Sequence, residues 1–158
     1  MQMKQGQSPE ESVSALGLVL PQLPAPGGNY LSAKRMGAIL YLAGVISSGP
    51  SGVITGTVGL DRTVEEGYAA AMACTLTHFA VLKAELESLD RVAEILTVNG
   101  YVNAVPGFAD SPAVINGASD LLVRIFGEAG RHVRAAVGVS ALPKNALVEI
   151  QMTVRVKE

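Results

Sequence analysis

The feature that most restricts the fold is a pair of period-two segments near the C-terminus, Val133 to Ala141 and Leu147 to Val156, joined through Leu142-Pro143-Lys144-Asn145. In the second of them Val148, Ile150, Met152, Val154 and Val156 fall on one side. Successive side chains of a strand point to opposite faces, so this alternation describes strands with one face against a core. The short polar joint predicts that the two strands form an antiparallel pair. If the apolar residues take the core side, the other face carries Arg134, Ala136, Gly138 and Ser140 from the first strand, and Glu149, Gln151, Thr153 and Arg155 from the second. Alanine, glycine and serine are small for a solvent-facing strand, so a neighbouring subunit or a ligand is expected to approach there.

A sheet with one apolar face needs helices to cover it, and two helical stretches are legible. Thr63 followed by Glu66 is a capping-box signature, and Tyr68, Met72, Leu76, Phe79, Leu82 and Leu86 then recur at helical spacing to about residue 88. Ser111-Pro112 supplies a cap and a first-turn proline for a second helix, whose apolar stripe of Val114, Ala118, Leu121, Leu122 and Ile125 ends near Gly127. Between them, "RVAEILTVNGYVNAV" has the β-branched content of a strand, with Asn99-Gly100 marking a bulge. Upstream, "YLSAKRMGAILYLAGV" predicts a hairpin broken at Lys34-Arg35, with residues 38–43 as the buried arm, and the Gly/Ser-rich residues 47–59 read as a loop with one short strand. Residues 1–14 are polar and expected to be loose, and prolines at 21, 24 and 26 prevent a long helix after them. The sum is an α+β sandwich with two helices on one sheet face: a flexible N-terminus over 1–14 and a single domain over 15–158.

Composition narrows the partners. Hydrophobic residues make up 49% of the chain and charged ones 16%, more apolar surface than a monomer readily hides, so an oligomer is expected. No apolar run reaches the roughly 20 residues that cross a bilayer, and no membrane partner is expected. The net charge of -2 offers no general attraction to phosphate backbones, which sets nucleic acid aside. A single cysteine and the lack of a secretion-type N-terminus point to a cytoplasmic location.

Few side chains carry chemistry. His78, His132 and Cys74 show no metal-ligand spacing, Cys74 reads as a small buried thiol within a helix, and no Gly-x-Ser-x-Gly elbow is present. Arg134 stands out among small residues. Three readings are open for it: a solvated arginine, one half of an ion pair with Glu149, or a planar fork holding a carboxylate by two parallel hydrogen bonds. Glu149 correspondingly pairs with Arg134, faces solvent, or positions a water.

The stretches "VRAAVGVSALPKNALVEIQMTVRV" and "NYLSAKRMGAILYLAGVIS" resemble the RidA/YjgF family of enamine/imine deaminases, also known as L-PSP endoribonucleases or translation inhibitors. The resemblance covers about residues 28 to 156. It implies a chorismate-mutase-like fold, a homotrimer with three clefts between subunits, helix-free sheet faces meeting at the threefold axis, and no metal or organic cofactor. Residue by residue, it implies that Arg134 binds a substrate carboxylate, that Glu149 orients water, that Tyr30 lines the cleft and that Asn116 lies near it on a helix. Ala136 stands where many members have cysteine, and Ala43-Gly44-Val45 replaces their Ser-Gly-Gln, as in a divergent branch. The activity implied is hydrolysis of reactive 2-imino or enamino acids to 2-oxo acids and ammonia. The alternatives are a non-catalytic carboxylate-binding protein of the same fold and, from the older family name, an endoribonuclease.

Overall fold

The computed structural model describes residues 6–23 and 25–158. In chain order the elements are α1 (Pro9–Ala15), β1 (Ala33–Met36), β2 (Ile39–Leu42), β3 (Val45–Ile46), β4 (Ser48–Gly49), β5 (Gly52–Val53), α2 (Val64–Leu86), β6 (Val92–Asn103), α3 (Ser111–Phe126), β7 (Val133–Val139) and β8 (Val148–Val156). The main sheet runs β1-β2-β8-β6-β7, with β3 also on β8, and all its pairs are antiparallel except β6 with β7. Helices α2 and α3 cover one face of it, as the apolar periodicity requires.

The last two strands do not pair with each other. β6 lies between them, parallel to β7 and antiparallel to β8. The cause is α3: a helix of 16 residues after β6 carries the chain back along the sheet, and a strand that follows such a crossover runs parallel to the one before it. The Leu-Pro-Lys-Asn joint is therefore a bridge over the end of β6. Buried Asn103, the last residue of β6, holds it by donating from Nδ2 to Asn145 Oδ1 and to the Ala146 carbonyl, both at 3.2 Å.

Pairing also inverts one face assignment. Arg134, Ala136 and Gly138 sit beside Val98, Gly100 and Val102 of β6, whose faces are buried under the helices. In parallel register such neighbours share a face, so all three point to the helix side, where Gly138 approaches Ser111 Oγ and Phe108. The open face instead receives Val133, Ala135 and Val137 from β7. Glu149, Gln151, Thr153 and Arg155 of β8 do take the open face, with Asn99 Nδ2 donating to Gln151 Oε1 at 3.0 Å and Arg155 paired to Glu94.

Other boundaries shift for local reasons. The hairpin turns at Gly37, whose φ of +59° suits glycine, so Lys34 and Arg35 belong to β1. The irregularities of β6 fall between Val92 and Thr97, while Asn99 and Gly100 pair in regular register. Gly100 is needed for another reason: a Cβ there would lie 2.5 Å from Ile115 of α3. Residues 47–59 hold two short strands, β4 and β5, in place of one. Of residues 1–14, expected to be loose, 1–5 lie outside the described residues, while Pro9–Ala15 form α1, capped reciprocally by Ser8 and Glu11. Glu10 ties it down, accepting from the Leu89 N–H at 2.8 Å and pairing with Lys83 at 3.1 Å.

Helix α2 begins at the Thr63–Glu66 capping box and buries far more than one stripe, including Ala70, Cys74, His78 and Val81. By length and hydropathy it could cross a membrane, but the sheet and α3 already cover most of it. Its most consequential polar group is His78. The ring lies fully buried with Nε2 2.8 Å from the Ile150 carbonyl, which can only accept, so Nε2 carries the proton and Nδ1 is left without a partner. Burial pushes its pKa down to about 4. The unfolded chain then binds a proton that the folded chain refuses, and stability falls as pH drops from about 6.5 toward 4. We expect His78 to remove about 2 kcal/mol between pH 7 and pH 5. Urea unfolding at the two pH values, compared with His78→Gln, reads it; a wild-type imidazole titrating near its ordinary pKa by NMR would exclude it.

Candidate functional site

Two clusters hold the residues singled out above, on opposite faces of the sheet. The first is a cleft of about 400 Å³ around the open-face carboxyl of Glu149, walled by Tyr30, Gly44, Val45 and Lys144 and reaching past the β3 margin of the sheet to Thr77 of α2. The carboxyl group of Glu149 projects from the open face of β8 and rests against Gly44, where a Cβ would lie 3.4 Å from its Cδ. It is half-buried, and desolvation holds its pKa above the ordinary carboxylate value. No ion pair reaches it among the described residues. Tyr30 folds back over the adjoining loop, its hydroxyl accepting from the Gly27 N–H at 3.1 Å. Lys144, which sequence reasoning passed over, stands on the cleft wall in a left-handed conformation with φ of 55°, followed by Asn145 at the same φ. Two such non-glycine residues in succession are costly, and the buried Asn103 described above is what stabilises them.

The second cluster lies on the helix side of the sheet, at its β7 edge. Arg134 donates from Nη1 to Ser119 Oγ at 3.0 Å and from Nη2 to the Pro112 carbonyl at 3.4 Å. Asn116 is exposed on α3, four residues after Pro112 and three before Ser119, which places it on the same helix face. Ser119 in turn meets His132, whose Nε2 is 2.9 Å from its hydroxyl. The signal for Ser119 was weak in sequence, because the pair is separated by 13 residues and joins only when β7 packs on α3.

The structure thus brings together Tyr30 with Glu149, and Arg134 with Asn116, but not the two pairs with each other. An ion pair between Arg134 and Glu149 within one chain is ruled out: β6 lies between their strands and they emerge on opposite faces. Cys74 is fully buried and its thiol pKa is raised by desolvation, so it is no thiolate nucleophile. His78 is sealed within the core and cannot reach an RNA substrate.

Comparison with known proteins fits this geometry. The YjgF/chorismate mutase-like family model matches residues 10–155. The protein TCP17 of Trypanosoma cruzi is 42% identical over 145 residues, covering 90% of this chain and 91% of its own. A 2-iminobutanoate/2-iminopropanoate deaminase of Dermatophagoides farinae is 29% identical over 137 residues, covering 85% and 91%. The crystal structure of Atu1372 from Agrobacterium tumefaciens, a protein of unknown function, superimposes with a TM-score of 0.87 at 37% identity, covering 94% of this chain and 92% of that one. With a mixed sheet under two helices and a family match across nearly its whole length, the chain belongs to the YjgF/RidA family.

Proposed function

We propose that the protein hydrolyses small 2-imino acids to 2-oxo acids and ammonia, in clefts formed between the subunits of a homotrimer located in the cytoplasm. The observation that carries this reading is the division of the site. Among the described residues, each chain holds a guanidinium without a carboxylate partner on one face and a half-buried carboxyl without an ion pair in a cleft on the other. A small ligand meets both only if a second copy supplies one of them. Apolar side chains left on the open face support the assembly: Val133 is 70% exposed, Met36 66% and Val137 44%. The resemblance to a named imine deaminase supports the chemistry.

In this reading Arg134 holds the substrate carboxylate by parallel N–H donors, with Asn116 beside it and Tyr30 on the facing wall. Water adds to C2 of the C=N group while Glu149 accepts one of its protons and returns it to nitrogen; the remaining hydroxyl proton then passes through the same carboxylate to the amino nitrogen as the C–N bond breaks, so ammonia leaves and a C=O group remains. Desolvation strengthens Glu149 as a base for this step.

Glu149→Gln should lower kcat for freshly generated 2-iminopropionate about 100-fold while KM changes little, because proton transfer is lost and the carboxylate anchor remains. Pyruvate release measures it, alongside light scattering expected to give three times the 16.3 kDa chain mass. Pyruvate binding with no turnover in the wild type would leave a carboxylate-binding protein; equal kcat in the variant would remove Glu149 from the reaction.

A further inference from the structure

Arg134 ends a polar chain that can run in only one direction. His132 Nδ1 is 2.7 Å from the Gly130 carbonyl oxygen, which only accepts, so Nδ1 carries the proton. Nε2 of the neutral ring is then an acceptor, and the Ser119 hydroxyl 2.9 Å away must donate to it. What remains of Ser119 toward Arg134 is a lone pair, 3.0 Å from Nη1. The guanidinium cannot accept and the carbonyl cannot donate, so every role along Arg134, Ser119, His132 and Gly130 is fixed. Burial and the neighbouring guanidinium both hold the imidazole below its ordinary pKa, which keeps the ring neutral as the chain requires.

We propose that Ser119 and His132 are positioning residues for Arg134, holding the guanidinium against α3 so that three of its five N–H donors are presented, pre-oriented, to the carboxylate of the imino acid. This rests on the reading above that Arg134 is the carboxylate anchor. A long flexible side chain loses rotamer freedom when it grips a ligand, and ordering it beforehand removes that loss from binding. Neither residue needs to touch substrate for this. The hydroxyl of Ser119 is needed for Arg134 but not for α3, where alanine is the better helix former.

Three substitutions and two readouts decide the matter. Ser119→Ala should weaken pyruvate binding, measured by calorimetry, and raise KM for 2-iminopropionate, each about tenfold, with kcat nearly unchanged and Tm equal to or above the wild type. His132→Gln places an amide oxygen near the Nε2 position and should keep affinity within about twofold. His132→Asn keeps the bond to Gly130, cannot reach Ser119, and should lose about as much as Ser119→Ala. Independently of any ligand, NMR should show the Arg134 guanidinium rotating faster in Ser119→Ala and His132→Asn than in the wild type and His132→Gln. Unchanged rotation overturns the positioning role whatever the enzyme does. Faster rotation in a protein that neither binds pyruvate nor releases it would keep the positioning role and overturn the assignment of the site.

Discussion

Arg134→Ala should lower kcat/KM for 2-iminopropionate about 1,000-fold, or roughly 4 kcal/mol of transition-state binding, while leaving the fold intact. The size follows from chemistry: two charge-assisted hydrogen bonds to a carboxylate contribute about 1.5–3 kcal/mol each, and alanine replaces neither. The fold is spared because Arg134 is exposed on the edge strand β7 and, among the described residues, its side-chain bonds reach only Ser119 and a first-turn carbonyl of α3. Stability should stay within about 0.5 kcal/mol of the wild type. Arg134→Lys should fall between the two, since an ammonium supplies charge without the planar fork. Pyruvate release and thermal unfolding on the same preparations read both halves; an alanine variant within tenfold of wild-type kcat/KM would end the role assigned to this arginine.

Gly117→Ala should destabilise the protein by about 3 kcal/mol, although the substitution favours a helix locally. A Cβ at Gly117 would lie 2.1 Å from the Tyr68 carbonyl oxygen and 2.9 Å from its carbon, inside α2. Backbone cannot swing aside as a side chain does, so the two helices must separate, loosening a contact that also includes Gly67 against Val114. Alanine recovers about 1 kcal/mol of propensity, less than the overpacking costs. In a chain of this size Tm should fall by about 6–12 °C. Ser119→Ala, two residues along the same helix, is the control, because it changes propensity without entering that contact. A Gly117→Ala protein as stable as the wild type would show that α2 and α3 are not so closely apposed.

Much of the architecture was legible from spacing. Thr63 and Glu66 mark the start of α2 because a capping box is a local arrangement of four residues, and Val148 to Val156 declare a buried strand because pleating enforces alternation whatever the neighbours. The pairing of β7 was not legible. Alternation says that a strand has two different faces but not which of them meets the helices: the valines of β7 read as the core side, yet Val133 and Val137 lie on the open face. Only the crossover through α3, which sets β7 beside β6, turned Arg134 toward the helices. The α1 helix was missed for a related reason: seven residues do not hold a helix unaided, and Glu10 reaches its partners some 80 positions away.

For the site, the sequence by itself supplied candidates: through family resemblance it marked four positions to watch, Arg134, Glu149, Tyr30 and Asn116. It also determined the elements bearing them, because periodicity and capping are properties of neighbouring residues. The tertiary structure alone decided that these four divide between two faces, that Lys144 joins one group and Ser119 with His132 the other, and that no single chain unites them. The physical reason is that strand order depends on what lies between strands, here one helix crossing over the sheet, and such long-range pairing leaves no trace in the period of the residues it brings together.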